Sequence, residues 1–221
     1  MLARLGAIAA ALSLAAAGDA PPGGDVGKSP GPDLDRRVQA FLDQRRGSWN
    51  ALNVPYQDGK VLHDLVLRSG ARRILEVGTS TGHSTIWLAW AAARTGGKVV
   101  TIEIDPERHA AALKNLEAAG VARFVEARLG DAHELVRTLP GPWDFVFQDA
   151  DKDWYLRYWT ELAPRMAPGG CYTAHNVLRP HAPEVREFID AAQADGRFET
   201  RFAQGTSGEG ILVACRRVAD R

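Results

Sequence analysis

The sequence predicts an α/β protein with a doubly wound, mostly parallel seven-stranded sheet that contains one antiparallel strand. From residue 72 onward, short apolar runs alternate with longer segments of helical periodicity. The first apolar run leads into a loop bracketed by Gly78 and Gly82, and an apolar helix follows. The last two apolar runs are separated by a loop too short for a crossover helix, so they should pair as an antiparallel hairpin.

The predicted strands are seven runs of mainly apolar residues: 74–77, 99–103, 124–129, 143–147, 171–174, 198–202 and 211–215. Helices should begin near Ser84, Pro106, Asp131, Trp154 and Pro183. Two further helices are predicted before the first strand, at residues 34–49 and 59–67, from their apolar spacing. We expect these two helices to cover one edge of the sheet and the mouth of the site.

Length and composition limit the classes of protein. A chain of 221 residues can form one well-buried domain with about 30 residues to spare. Lysine plus arginine total 27 and aspartate plus glutamate total 27, so no net charge favours nucleic acid or an acidic membrane. With Cys171 and Cys215 as the only cysteines, we expect neither a disulfide framework nor a zinc site.

The N-terminal region differs from the rest of the chain. Residues 1–20 combine a short basic start, an apolar run and the small residues Ala15 to Ala17. This pattern predicts a signal peptide and is too short for a membrane span. A mis-assigned start codon is the alternative, so the protein is exported or periplasmic if the signal is real and cytoplasmic otherwise. Residues 21–33 are rich in proline and glycine and predict a flexible linker, which leaves 34–221 as the folded domain.

The loop after the first strand indicates the cofactor. Glycines let a ligand approach the backbone, and the helix N-terminus supplies free N–H donors. The spacing G-x-x-x-G from Gly78 to Gly82 fits neither the dinucleotide pattern nor the phosphate loop. Glu76, two residues before Gly78, would repel a pyrophosphate but attract an ammonium or sulfonium group. These features favour S-adenosylmethionine over NAD, although S-adenosylmethionine is made in the cytosol, which is at odds with export.

Acidic residues at the next two strand ends extend this site. Glu103 ends the second predicted strand, where an acid accepts hydrogen bonds from both ribose hydroxyls. Asp131 and Ala132 follow the third strand, where the adenine edge would lie. Asp131 is equally well explained as an ordinary helix N-cap, and the sequence leaves both interpretations open.

The segment after the fourth strand carries candidate catalytic groups. Asp149 and Lys152 follow that strand, and the fifth strand ends in His175 and Asn176. If the two strands are neighbours, Asp149, His175 and Asn176 could hold a divalent cation. Lys152 could accept a proton if it is removed from water. A solvated turn with a capping aspartate is the alternative.

From about residue 51 to residue 176, the chain resembles the small class I S-adenosylmethionine-dependent O-methyltransferases of the catechol and caffeoyl-CoA group. The matching segments are Asn53-Val54 with Gly59, LEVGTSTGHS at 75–84, TIEID at 101–105 and DADKDWY at 149–155. The resemblance implies a Rossmann-like methyltransferase domain, a homodimer, Asp149 as a metal ligand and Lys152 as the general base. It implies that the following residues surround the methyl donor: Val54, Glu76, Gly78, Ser80, Ser84, Glu103 and Ala132. Gly82, Asp131 and Asp149 complete our set of cofactor-binding candidates.

One departure from the family pattern affects the metal site. The family has Asp-Asn at the end of the fifth strand, whereas this chain has His175-Asn176. An imidazole disfavours Mg²⁺ relative to Mn²⁺, Fe²⁺ or Zn²⁺. Alternatively, the site has lost its metal and His175 acts as a base. The catalytic candidates are therefore Lys152, Asp149 and His175.

The expected activity is methyl transfer to a hydroxyl oxygen of a small aromatic acceptor. Three alternatives remain open at this point. The acceptor could be a hydroxyl on a tRNA base, which the balanced charge disfavours. The chain could be an NAD-dependent oxidoreductase, which Glu76 and the glycine spacing disfavour. It could also be an exported binding protein that keeps the fold without catalysis.

Overall fold

The computed structural model describes residues 31–50, 52–178 and 182–218. The predicted signal peptide and residues 21–30 of the predicted linker lie outside these ranges. Helix α1 begins at Pro32, two residues before the predicted helix start at residue 34. Proline at the first helical position and acidic residues in the first turn, here Asp33 and Asp35, are typical of helix starts.

Seven strands form one sheet in the order β3-β2-β1-β4-β5-β7-β6. Their bounds are β1 Arg73–Val77, β2 Lys98–Glu103, β3 Val125–Leu129, β4 Trp143–Gln148, β5 Met166–His175, β6 Phe198–Phe202 and β7 Ile211–Arg216. Strands β1 to β5 pair in parallel, and β7 lies antiparallel to both β5 and β6. The predicted fold class, including the C-terminal hairpin, is therefore confirmed.

Helices cover both faces of the sheet. Their bounds are α1 Pro32–Gln44, α2 Tyr56–Ser69, α3 His83–Thr95, α4 Pro106–Ala119, α5 Ala132–Thr138, α6 Tyr155–Leu162 and α7 Pro183–Ala194. Successive strand residues point to opposite faces, so Ile74 packs with α1 to α4 and Leu75 with α5 to α7. The two buried clusters hold the parallel strands in place, and the carboxyl ends of the strands stay open to the site.

Helices α1 and α2 pack differently from the expectation. Helix α2 contacts α3, and α1 contacts α3 and α4, so both helices lie on one face of the sheet. The approach of α2 to α3 requires glycine at residue 59, because a Cβ atom there would lie 2.2 Å from Cδ1 of Trp87. The connection between α1 and α2, through Leu52, Asn53 and Pro55, is what reaches the cavity described below.

A disulfide joins Cys171 to Cys215, contrary to our expectation of none. Cys171 lies in β5 directly opposite Cys215 in β7, in the antiparallel part of the sheet. The two cysteines are 44 residues apart in sequence, and only the insertion of β7 beside β5 brings them together. Strand β5 is also longer than predicted and begins at Met166, with a register shift against β4 near Trp143.

Within the ranges given above, no helix is both long and apolar enough to cross a membrane.

Candidate active site

A cavity of about 810 Å³ lies at the carboxyl ends of the parallel strands. Six of the predicted cofactor-binding residues line it: Gly78, Ser80, Glu103, Asp131, Ala132 and Asp149. The other four, Val54, Glu76, Gly82 and Ser84, do not line the cavity. Val54 is buried in the connection between α1 and α2, and Glu76 is buried in β1. Gly82 is the N-cap of α3, and Ser84 is buried in the first turn of that helix. The same cavity is lined by Lys152, His175 and Asn176, so cofactor and catalytic candidates share one space.

The glycine loop is held by β2 and by the end of β4. Gly78 has a φ of 100°, and a Cβ atom there would lie 2.8 Å from the carbonyl oxygen of Asp149. The amides of Gly78 and Thr79 both donate to the carbonyl of Ile102 at 3.1 Å. The loop is therefore rigid against β2, and only glycine at residue 78 allows the loop from β4 to pass so closely.

Glu103 occupies the position predicted for a ribose ligand. Its Oε2 accepts a hydrogen bond from the Ser80 amide at 2.7 Å, and its Oε1 accepts from Arg108 Nε at 3.1 Å. The amide of Asp105 also donates to Oε1, at 3.0 Å. The carboxylate is 5% exposed and lines the cavity, so it is fixed in place before any ligand arrives. No sequence signal singled out Arg108.

Glu76 is buried beneath the loop and does not face the cavity. The hydroxyls of Thr85 and Thr101 donate to its Oε2. Burial raises the pKa of the Glu76 carboxyl from 4.5 to about 7, and hydroxyl hydrogen bonds only partly oppose this. Glu76 therefore lies behind the glycine loop and links β1, β2 and α3.

Asn53 and His83 fix the connection between α1 and α2 onto the glycine loop. Asn53 Nδ2 donates to Thr81 Oγ1 at 2.8 Å, and His83 Nδ1 donates to the carbonyl of Val54 at 2.8 Å. Trp87 Nε1 donates to the other ring nitrogen of His83 at 3.1 Å. Burial lowers the pKa of His83 to about 4, so the ring is neutral and serves as a fixed bridge.

The structure confirms Asp131 as a helix N-cap, and its place at the adenine edge stays a prediction. Its Oδ1 accepts from the amide of His133 at 2.8 Å, which makes it the N-cap of α5, and it also lines the cavity. The ring of His133 stacks on Trp154 with centroids 3.7 Å apart. His133 Nε2 lies 3.3 Å from Asp151 Oδ2, and both residues line the cavity. No local sequence signal indicated His133.

Because β4 and β5 are neighbours, the structure brings Asp149 and His175 together as predicted. Asp149 Oδ1 lies 2.5 Å from Lys152 Nζ, and its Oδ2 lies 3.4 Å from His175 Nδ1. Lys152 Nζ also donates to the hydroxyl of Tyr155 at 2.9 Å. Asn176 lines the same cavity, but its Nδ2 donates to Glu209 Oε2 at 3.0 Å.

Asp58 completes this group and was not identified from the sequence. It lies in α2, is fully buried, and its Oδ2 accepts from His175 Nε2 at 2.7 Å. Burial alone would lower the pKa of His175, but the carboxylates of Asp149 and Asp58 raise it to about 9. Burial would likewise raise the pKa of both carboxyls, and their basic partners lower it instead. Asp58 and His175 are 117 residues apart, so no local pattern could reveal the pair.

The residues around Asp149 and His175 do not fit a divalent-cation site. One oxygen of Asp149 is already paired with Lys152, and both ring nitrogens of His175 face carboxylates. Among residues 31–50, 52–178 and 182–218, no group of three histidine, cysteine, aspartate or glutamate side chains is arranged to hold a metal ion. A magnesium site in particular needs several free hard oxygen ligands in octahedral geometry.

Comparison with known proteins agrees with this geometry. The O-methyltransferase family model matches residues 36–198. A catechol O-methyltransferase of Niastella koreensis is 38% identical over 168 residues, which cover 74% of this chain and 76% of the relative. Caffeoyl-CoA O-methyltransferase 1 of Zea mays is 31% identical over 193 residues, covering 77% of this chain and 73% of the relative.

A solved O-methyltransferase from Bacillus cereus, in complex with SAH, superposes with a TM-score of 0.70 at 30% identity. The superposition covers 87% of this chain and 94% of that chain. The glycine loop and Glu103 therefore lie in a fold that binds SAH in this relative. S-adenosylmethionine is the cofactor of this enzyme, and the chain belongs to the O-methyltransferase family.

Proposed function

We propose that the enzyme transfers the methyl group of S-adenosylmethionine to a hydroxyl oxygen of a small aromatic acceptor. The observation that carries this proposal is the shared cavity, in which Glu103 and the glycine loop adjoin Lys152. The similarity to proteins named catechol and caffeoyl-CoA O-methyltransferases supports an aromatic hydroxyl as the acceptor group. Apolar side chains in the lining, including Leu52, Ile102 and Ile104, suit a flat organic acceptor.

The chain must align the acceptor oxygen with the sulfonium methyl group and remove the hydroxyl proton. The oxygen then forms the new bond to carbon while the carbon–sulfur bond breaks and its electrons stay on sulfur. Lys152 is the better of the two candidate bases, since its side chain is 34% exposed and that of His175 only 4%. Asp149 and the hydroxyl of Tyr155 hold Lys152 Nζ at the cavity wall.

The charge of the lining argues against a nucleic-acid acceptor. Five carboxylates line the cavity, and they are Glu103, Asp131, Asp149, Asp151 and Glu209. Arg108 and Lys152 are the lysine and arginine residues in that lining, and both already contact carboxylates. A phosphate backbone at the mouth of this cavity would meet mainly negative charge, which opposes tRNA binding.

The test is methyl transfer from methyl-labelled S-adenosylmethionine to a panel of phenols and catechols, with bulk tRNA as a second acceptor. Lys152→Met should lower kcat by about 100-fold or more, as expected for loss of a general base. Its affinity for SAH should be unchanged. Lys60→Met is the matched control, because Lys60 is an exposed lysine on α2 that pairs with Asp64 outside the cavity.

Transfer to tRNA but to none of the phenols would replace this proposal by the nucleic-acid alternative. Tight binding of SAH without transfer to either class would favour a binding protein that keeps the fold. Full activity in Lys152→Met would leave the hydroxyl acceptor in place but reject Lys152 as the base.

We also propose that the chain works in an oxidising compartment, in keeping with the predicted signal peptide. Support comes from the cross-strand bond between Cys171 and Cys215, since such bonds persist mainly in secreted and periplasmic proteins. Unlabelled cysteines after alkylation of the native protein without reductant would support this proposal, and quantitative labelling of both would contradict it.

A further inference from the structure

Asp58 is a buried acid whose partners are unusually specific. It is 0% exposed, and its two oxygens accept from the amide of Ser207 at 2.6 Å and from the Ser207 hydroxyl at 2.6 Å. The remaining partner is His175 Nε2, at 2.7 Å. A buried carboxylate is costly unless donors or a cation compensate it, so the imidazole is held firmly in this place.

His175 joins Asp58 to the catalytic candidates. Its other ring nitrogen, Nδ1, faces Asp149 Oδ2 at 3.4 Å, and Lys152 Nζ is on the other oxygen of Asp149. We name this alternating set, made of Asp58, His175, Asp149 and Lys152, the acid–base row. Along the row, each buried carboxylate has a basic group beside it. Tyr155 also holds the strand end, since its hydroxyl donates to the carbonyl of His175 at 3.2 Å.

We propose that His175, positioned by Asp58, takes the place of a divalent cation, so that this enzyme transfers the methyl group without one. The proposal rests on the proposed methyl transfer to a hydroxyl and deepens it. With an imidazole facing carboxylates on both sides, His175 supplies the fixed positive charge beside Asp149. Lys152 can then take and release the acceptor proton while the charge of Asp149 stays balanced. A metal ion at Asp149 would instead lie beside two basic groups, with Lys152 on one oxygen and the His175 ring 3.4 Å from the other.

Asp58 is therefore a positioning residue, acting through His175. It also connects the site to the β6–β7 loop, because Gln57 Nε2 donates to the carbonyl of Gly205 at 2.6 Å beside the Ser207 contacts. Replacing Asp58 should affect the chemical step rather than the binding of the cofactor, because Asp58 does not contact Glu103 or the glycine loop, which follow β2 and β1. This separates a positioning role from a general loss of folding.

The first measurement uses the full chain after treatment with a chelator. Methyl transfer to a catechol is compared with EDTA, with Mg²⁺ and with Mn²⁺, and free Mn²⁺ is followed by electron paramagnetic resonance. We expect the same rate in all three conditions and no depletion of the free Mn²⁺ signal at millimolar concentration. A rate abolished by EDTA and restored by either metal would overturn the proposal, as would stoichiometric binding of Mn²⁺ by the wild-type chain.

Two variants sharpen the test. His175→Asp removes the imidazole and places three carboxylates together, so it should gain Mn²⁺ affinity by about tenfold or more over wild type. His109→Asp, on α4 away from the cavity, is the control for an added surface carboxylate. Asp58→Asn should lower kcat by about tenfold with an unchanged KM for S-adenosylmethionine, and Asp64→Asn on the same helix should not.

The outcomes distinguish this inference from the proposed function. If no hydroxyl acceptor is methylated under any condition, the proposed function fails, and the Mn²⁺ measurements still decide whether His175 replaces the metal. If the wild-type chain binds Mn²⁺ and Asp58→Asn binds it more weakly, His175 is a metal ligand and the inference is wrong. If His175→Asp does not fold, the wild-type chelator and Mn²⁺ results decide alone.

Discussion

The pH dependence of stability should report directly on His175. The pKa of His175 is raised from 6.5 to about 9 in the folded protein, because its ring lies between Asp149 and Asp58 despite burial. A raised pKa means that the contribution to stability is complete below pH 6.5 and is lost as the pH rises through 9. That shift corresponds to about 3 kcal/mol of unfolding free energy. Both carboxyls stay ionised across this window, since their pKa values are lowered.

The assay is urea unfolding of wild type, His175→Gln and the control His109→Gln at several pH values. Wild type and the control should lose about 3 kcal/mol between pH 6.5 and 9, and His175→Gln should lack that slope. The Glu76 carboxyl, with a pKa raised from 4.5 to about 7, changes its charge mainly below or near the acid end of the range from pH 6.5 to 9. It therefore contributes little to the slope over most of that range. An equal loss in His175→Gln, or a wild-type stability that rises over this range, would refute the assignment of a charged imidazole between two carboxylates.

Two further predictions concern the cofactor and the disulfide. Glu103→Ala should weaken SAH binding by about 1.5–3 kcal/mol in isothermal titration, because charge-assisted hydrogen bonds to the ribose are lost. Glu107 is an exposed residue of α4, so the control Glu107→Ala should leave the affinity for SAH unchanged. NAD should bind neither the wild type nor the two variants. Equal affinities of both variants for SAH would reject the ribose assignment. Replacing Cys171 and Cys215 together by alanine should lower the unfolding free energy by about 2–4 kcal/mol. Alkylation of the native protein, without reductant, should label neither thiol, and quantitative labelling of both would contradict the oxidised state.

Local sequence signals were sufficient for the order of strands and helices and for one side of the site. The glycine loop and the caps at Asp105 and Asp131 each depend on residues within a few positions of one another, and the hairpin of β6 and β7 depends on the short loop between two consecutive strands. Periodicity and turn chemistry act over the same short range, which is why they could be predicted. Asp149 and Lys152 were found for the same reason, since they follow one strand within four residues.

Other features depend on packing between distant segments. Asp58 meets His175 because α2 packs beside the end of β5, and Cys171 meets Cys215 because β7 inserts antiparallel between β5 and β6. Glu76 was expected to attract the ligand, but the inward face of β1 buries it behind the loop. Whether His175 would bind a metal or replace one could not be read from its identity alone. That difference depends on the carboxylate that reaches its second ring nitrogen, and only the three-dimensional packing of α2 places Asp58 there.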